Sequence, residues 1–188
     1  MGIDVTDEES VARAVATAAE RMGGLDAVVN TAGILGTVQS SADEQVAQFA
    51  RLVAVNLTGA FIVSRAVLPL LAQSAHGRLV HFSSTAGKEG VAQMTGYSAS
   101  KAGVMGLVKA LAREYAATPV TVNAIAPGKI DTPLIAGAAV TADDLAKIPK
   151  GRLGTPAEAA ALIAYVISPA ASYTTGAVFD LSGGRATW

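Results

Sequence analysis

Tyr97 and Lys101 stand four residues apart in Tyr97-Ser98-Ala99-Ser100-Lys101. In a helix, that spacing sets both side chains on one face, one turn apart. An ammonium beside a phenol favours the phenolate and lowers a pKa that is otherwise about 10. A tyrosine tuned in this way gives a proton to, or takes one from, an alcohol or carbonyl oxygen near neutral pH. The same spacing also occurs on ordinary helix surfaces, so the surroundings carry the weight. Ser84 ends an apolar segment thirteen residues upstream and can present its hydroxyl at the same edge of a sheet. Asn56 lies inside an apolar helical stretch, where its amide competes with the backbone for hydrogen bonds. There it either satisfies a local hydrogen bond or holds a water that passes protons to the lysine.

The elements that must position these residues alternate along the chain. Asp7 to Met22 reads as a helix, with Thr6 or Asp7 as its cap and Val11, Ala14, Val15 and Ala18 as its apolar stripe. Gly23-Gly24 stops it. Leu25 to Val29 reads as a buried strand feeding the turn Asn30-Thr31-Ala32-Gly33. Ala42 to about Gln73 reads as a long helix, Arg78 to Phe82 as a strand, and Gly96 to Ala116 as a helix. Val120 to Ile125 is a strand ending at Pro127-Gly128. Thr155-Pro156-Ala157-Glu158 is a capping box opening a helix to Ile167, and Val178 to Leu181 is the last strand. Apolar strands alternating with helices indicate an α/β fold, a parallel sheet covered on both faces. In such sheets, ligands sit beyond the carboxyl ends of the strands. Asn30 to Gly33, Ser83-Ser84 and Pro127-Gly128 gather at that edge. Leu134 to Leu153 shows no clear period and is long for a connection, which suggests a lid over the ligand end of a single domain spanning 1–188.

Composition narrows the function further. Hydrophobic residues make up 51% of the 188 and charged residues 15%, with a mean hydropathy of +0.42 and a formal charge of −1. Such a chain can bury a large core, and its balanced charge gives no electrostatic case for nucleic acid or an acidic membrane face. There is no cysteine, which removes disulfides and thiol chemistry. Two histidines and no cysteine offer no metal constellation. Leu57 to Leu71 is interrupted by Gly59, Arg65 and Pro69 and falls short of the roughly 20 apolar residues of a membrane span. The acidic start lacks the basic and apolar regions of an export signal, so the expected location is cytoplasmic.

Asn30-Thr31-Ala32-Gly33, Asn56, Ser84, Tyr97-Ser98-Ala99-Ser100-Lys101 and Pro127-Gly128-Lys129-Ile130-Asp131-Thr132 together resemble the short-chain dehydrogenase/reductase family. Gly151-Arg152-Leu153-Gly154-Thr155-Pro156-Ala157-Glu158 and Gly183-Gly184 fit as well, so the resemblance runs from about Ile3 to Gly184. The closest look is to 3-oxoacyl-carrier-protein reductases and related sugar or alcohol dehydrogenases. The resemblance implies a Rossmann-like doubly wound sheet, NAD or NADP as cofactor, and interconversion of a ketone and a secondary alcohol. It implies Tyr97 as acid/base, Lys101 on the nicotinamide ribose and lowering the Tyr97 pKa, Ser84 on the substrate oxygen, and Asn56 anchoring a proton-relay water. Asp4 and Val5 match residues contacting adenine. Asn30, Ala32 and Gly33 would flank the adenosine ribose, and Pro127, Gly128, Ile130 and Thr132 would hold the nicotinamide end. It also implies a homo-oligomer, dimer or tetramer. Ala60, Ala66, Ala99, Gly103, Gly106 and Ala110 offer small outer positions for such contact, or simply pack on the sheet.

Thr31 and Ser182 depart slightly from the family pattern, and a third departure is larger. The family opens with a strand, a glycine-rich turn and a helix, then a second strand, and nothing in this sequence matches that segment of about 30 or more residues. The expected sheet is therefore N-terminally truncated, without strands 1 and 2, leaving Leu25 to Val29 as an open edge. Three readings follow: a shortened product of an ordinary reductase, a catalytically impaired relic acting as a binding or scaffold subunit, or a chain completed by a partner or swapped segment. Weak cofactor affinity is expected of the isolated chain, because the missing turn is where the pyrophosphate sits. Among other residues, His81 reads as a core position, His76 as solvated, Lys88 and Glu89 as loop charges near a substrate entrance, and Trp188 as a terminus either frayed or near a neighbouring subunit.

Overall fold

In the computed structural model, which describes residues 2–135 and 140–186, four strands form one parallel sheet. They are β1 (Ala27–Asn30), β2 (Arg78–Phe82), β3 (Thr121–Pro127) and β4 (Val178–Leu181), in the spatial order β1-β2-β3-β4. The register sets Asn30 opposite His81, Phe82 opposite Ile125 and Pro127 opposite Leu181. All four carboxyl ends therefore lie at one edge, as parallel neighbours joined by helical crossovers require.

Helix α1 (Glu8–Met22) starts at Asp7, whose carboxylate accepts the N–H groups of Glu9 and Ser10, and ends at Gly23 with φ 73°. Glycine takes that left-handed conformation without the strain a side chain would bring. One face of the sheet is covered by α1, α3 (Gly59–Leu71) and α5 (Thr95–Glu114), which bury Val11, Val67, Leu71, Leu79, Val108 and Val122. Each such side chain taken from water contributes roughly 2 kcal/mol. The other face is covered by α7 (Pro156–Val166), packed over Val80 and Ile125 in the middle of the sheet. Helix α7 opens with the expected capping box between Thr155 and Glu158. Helices on both faces of a parallel sheet make this the doubly wound α/β arrangement.

Several boundaries differ from the sequence reading. The first strand is Ala27–Asn30 rather than Leu25 to Val29, and it is half-buried, with Ala27 exposed. It has one strand neighbour among the described residues, while Val28 packs on the core of one face and Val29 on that of the other. The long helix is a 26-residue run, Val46–Leu71, made of α2 (Val46–Val53), a π-turn (Ala54–Thr58) and α3. By length and composition alone this run is apolar enough to cross a membrane, contrary to the sequence reading, and half of its most apolar window is buried against the rest of the chain. A short helix the sequence reading missed, α4 (Thr85–Glu89), follows β2.

The segment 134–153 is also more ordered than an aperiodic stretch suggests. Residues 136–139 lie outside the described residues, but α6 (Ala142–Ala146) follows them with a Thr141–Asp144 capping box. Asp144 also pairs with Lys129 at 3.0 Å. That ammonium and the cap hydrogen bonds hold the Asp144 carboxyl down at about 2. Ile148 is buried, and the Lys150 N–H reaches the Gly183 carbonyl at 3.1 Å. The segment is thereby fastened to the chain just beyond β3 and beyond β4.

Candidate active site

Tyr97, Lys101, Ser84, Asn56 and Gly33 converge at the carboxyl edge of the sheet. Tyr97 and Lys101 sit one turn apart on α5, with the Lys101 ammonium 5.9 Å from the centre of the phenol ring. Both are buried, 9% and 5% exposed. Ser84 caps α4, its Oγ accepting the Ala86 N–H at 3.1 Å. The Ser84 hydroxyl also acts on the Tyr97 phenol as a hydrogen-bonding neighbour and draws its pKa down. The strand-end hydroxyl and the helical phenol are therefore neighbours at this edge.

The electrostatics depart from that reading. Burial pushes the Tyr97 phenol above its ordinary value, and the Ser84 hydroxyl, as a hydrogen-bond partner, pulls it back only in part. The ammonium four residues on is not what tunes the phenol. Lys101 Nζ instead donates to the Phe82 carbonyl at 2.8 Å, and burial pushes Lys101 itself down to about 8. Helical periodicity sets which face a side chain takes. Only the tertiary fold sets the dielectric around it, and here desolvation outweighs the neighbouring charge.

Asn56 sits in the π-turn, which leaves one residue out of the regular α-helical ladder. Its amide is fully engaged. Oδ1 accepts the Ile34 N–H at 2.9 Å, while Nδ2 donates to the Ile34 carbonyl and to Ser100 Oγ, both at 3.0 Å. The Asn56 side chain thus pins the loop after β1 to α5. Gly33, in that loop, is the close-approach point. A Cβ there would stand 3.2 Å from both Asn56 Oδ1 and Lys101 Nζ. Among the described residues the ammonium has Phe82 as its only hydrogen-bond partner, which leaves two of its three donors over, and it lies beside the space glycine keeps open. That donor set fits the vicinal hydroxyls of a ribose.

The remaining expected residues spread along the edge. Asn30 Oδ1 accepts the Ala32 N–H at 3.1 Å, folding the turn, and Asn30 Nδ2 meets His81 Nδ1 at 3.2 Å. His81 is buried, and its Nε2 meets Ser64 Oγ at 2.8 Å, which in turn donates to the Ala60 carbonyl. With Nδ1 receiving from an amide, the ring is neutral and carries its proton on Nε2. His81 is the core position expected of it. Pro127 ends β3, the Gly128 N–H reaches the Leu181 carbonyl at 3.1 Å, and Ile130 bridges to Gly154. Thr132 Oγ1 donates to the Ile130 carbonyl at 3.3 Å. These four occupy the β3–β4 side of the edge, without a direct contact to Tyr97 among the described interactions. Asp4 is exposed and takes the Thr6 N–H and hydroxyl, while the Val5 side chain is buried against Gly59. The structure does not bring Asp4 and Val5 to the Tyr97 cluster.

Three supporting roles were not read from the sequence. Ser83 Oγ donates to the Lys101 carbonyl at 2.7 Å, Ser100 ties Asn56 to α5, and Gly87 lets α4 press against the Lys101 backbone. The Ser-Ser doublet and the isolated Gly were the available signals. Lys88 and Glu89, placed at a substrate entrance, instead pair with Asp180 at 3.6 Å and Arg185 at 3.1 Å, fastening α4 to the chain around and beyond β4. Of the small outer positions, Ala60 is buried in the chain's own core and Gly103 packs on Leu57, whereas Ala99, Gly106 and Ala110 remain exposed. Trp188 lies outside the described residues.

The buried imidazole has a measurable consequence. Desolvation, with the nearby Lys101 charge, pushes His81 down to about 4. The unfolded chain binds this proton near pH 6.5 and the folded chain only near pH 4, so stability is intact above 6.5 and falls as pH drops through that window. Between pH 8 and 5 the loss is about 2 kcal/mol. Thermal melting across that range should show the loss, and His81→Leu should remove that slope whatever its own effect at pH 8.

Comparison with known proteins agrees with this architecture. A family model described as enoyl-(acyl carrier protein) reductase matches residues 1–186. A 2-dehydro-3-deoxy-L-rhamnonate dehydrogenase (NAD(+)) from Sphingomonas sp. (strain SKA58) is 38% identical over 100% of this chain and 76% of its own. A relative from Xanthobacter autotrophicus (strain ATCC BAA-1158 / Py2), named inactive 2-(S)-hydroxypropyl-CoM dehydrogenase 2, is 36% identical over 98% of this chain and 83% of its own. The crystal structure of gox2181 superposes with a TM-score of 0.92 at 33% identity, covering 99% of this chain and 75% of that one. The chain belongs to the short-chain dehydrogenase/reductase family of oxidoreductases.

Proposed function

We propose that this chain interconverts a ketone and a secondary alcohol, with NAD or NADP as the redox partner and Tyr97 as the acid/base. The observation that carries this reading is the juxtaposition of the Ser84 hydroxyl and the buried Tyr97 phenol, with the Lys101 ammonium one turn along the same helix. The nicotinamide, when bound, supplies or accepts the hydride. The chain's own groups do the rest. Ser84 holds the substrate oxygen, and Tyr97, kept protonated by burial, donates to that oxygen in reduction and takes the proton back in oxidation. Lys101 orients the ribose hydroxyls through the donors left free beside Gly33. The Asn56 side chain fixes the loop that carries Gly33, which makes it a positioning group, and a relay water belongs to the same reading. Asp4, Val5, Asn30, Ala32, Pro127, Gly128, Ile130 and Thr132 are the further cofactor contacts, the last four around the nicotinamide. Residues 134–153 serve as the lid of one catalytic domain, and Ala99, Gly106 and Ala110 form part of a homo-oligomer contact.

The substrate class nearest to hand is a hydroxy acid or its keto form, in line with the sugar-acid name of the Sphingomonas relative. Replacing Ser84 with Ala tests the arrangement. Turnover should fall about 10²-fold, the effect of removing one hydrogen bond to a charge that develops in the transition state. Activity equal to wild type would remove Ser84 from the site. A second reading, a binding or scaffold subunit without turnover, draws support from the likeness to the relative named inactive. It requires that wild type and Ser84→Ala alike leave a panel of secondary alcohols unoxidised with either nicotinamide.

A further inference from the structure

Ser84 stands at a joint. Upstream, Ser83 fixes the chain, its N–H donating to the Ile125 carbonyl at 2.8 Å and its Oγ to the Lys101 carbonyl at 2.7 Å. The Ser84 hydroxyl itself is aimed by the next element, because the Ala86 N–H in the first turn of α4 donates to Ser84 Oγ at 3.1 Å. Helix α4 has five residues, fewer than the ~12 an isolated helix needs. Its place is therefore set by what it touches. Gly87 rests on the Lys101 backbone, and the last turn is held by charge. Lys88, its side chain only 9% exposed, meets Asp180 of β4 at 3.6 Å. Glu89 accepts from Arg185 Nε at 3.1 Å, across 96 positions of sequence.

The two links share a base. Asp180 Oδ1 also accepts the Ser182 N–H at 3.1 Å and the Ser182 hydroxyl at 2.7 Å, and Ser182 Oγ accepts the Ala186 N–H at 3.0 Å. These bonds close a turn through Gly183 and Gly184, at φ 68° and 92°, and that turn presents Arg185. The Lys150 N–H anchors the same turn at the Gly183 carbonyl, and a Cβ on Gly183 would stand 2.9 Å from Ile148 Cγ2. Arg185 thus reaches α4 from a braced position.

We propose that Arg185 is a positioning residue for Ser84: through Glu89 it holds α4 where the Ala86 N–H aims the hydroxyl at the substrate oxygen. The inference rests on the reading above, in which Ser84 holds that oxygen. Misplacing an orienting group by about 1 Å can lower turnover by up to about 10²-fold. An ion pair that keeps some contact with water adds little to global stability, and this one is 23% exposed on each side. Its loss therefore shows in turnover far more than in melting.

The test uses the full chain and two readouts. The first is amide hydrogen exchange at Ala86, bonded to Ser84 Oγ, and at Gly90, bonded to the Ala86 carbonyl. Both amides should exchange about 10-fold faster in Arg185→Gln, with the β2 and β3 amides unchanged. The swapped pair, Glu89→Arg with Arg185→Glu, should restore the slow rates. The second readout is steady-state oxidation of the secondary alcohol that wild type turns over fastest. Arg185→Gln should lower kcat about 10-fold and leave the nicotinamide KM within about two-fold. In a Ser84→Ala background the same change should cost nothing more, since a residue acting through Ser84 has no route left. If Arg185→Gln does not fold, Glu89→Gln removes the same pair and carries the same expectations. Unchanged exchange at Ala86 and Gly90, faster exchange spread evenly over β2 and β3, or losses that multiply in the double variant would each overturn the proposal. Full turnover in Ser84→Ala, or none in wild type, would instead remove the catalytic reading of Ser84. The exchange rates then decide by themselves whether Arg185 holds that side chain.

Discussion

Turnover of Tyr97→Phe should fall by about 10³-fold while its melting temperature stays close to wild type. The change removes one oxygen from a side chain whose ring remains packed against Leu52 and Ala86, so the fold keeps its contacts and the chemistry loses its proton. Burial holds the phenol protonated through neutral pH and pushes Lys101 down to about 8. In wild type, ketone reduction should therefore be level below pH 8 and decline above it, as Lys101 loses its charge. Alcohol oxidation, which needs the phenolate, should climb toward alkaline pH. Steady-state rates in both directions from pH 6 to 10 give the comparison, and a Phe variant retaining a tenth or more of wild-type turnover would refute Tyr97 as the acid/base.

The second large effect is structural and reaches the same site. A Cβ on Gly87 would stand 2.7 Å from the Lys101 carbonyl carbon and 2.8 Å from the Ala102 nitrogen, both backbone atoms that cannot swing aside. Gly87→Ala must separate α4 from α5. Overpacking of this kind costs about 3 kcal/mol, or ~6–12 °C in Tm for a chain of this size. Because α4 carries Ser84 and α5 carries Tyr97 and Lys101, the surviving folded fraction should also lose turnover. A variant melting within ~2 °C of wild type would show that the two helices have slack the structure does not suggest.

The site was legible to different depths. The interval from Ser84 to Tyr97 and the helical spacing to Lys101 pointed to side chains that the fold does bring near one another, because strand ends and helix faces follow from local periodicity. The capping box at Thr155 and the bounds of β2 and β4 were read from the sequence for the same reason. Helix α4 was missed because five residues carry no readable period. The role of Asn56 in its π-turn was hidden because its partner is the Ile34 backbone, 22 residues away in sequence. Asn56 was noticed as an anomaly in its helix, but what it holds is a loop. Lys88 and Glu89 read as loop charges near a substrate entrance, and only the fold brought Asp180 and Arg185 to them.

Sequence alone determined the parallel α/β architecture and which side chains could meet at the carboxyl edge, since both depend on patterns shorter than one helix–strand unit. The tertiary structure decided the protonation of that edge. Whether a phenol beside an ammonium becomes acidic depends on how much water and how many carbonyls surround the pair. Here α4, α5 and the loop after β1 close over Tyr97 and Lys101, so desolvation sets both pKa values in opposite directions. The same long-range packing left buried Arg78 without a counter-ion among the described residues, at the far end of the sheet. A list of residues cannot show that, because a missing partner is a property of the whole surroundings.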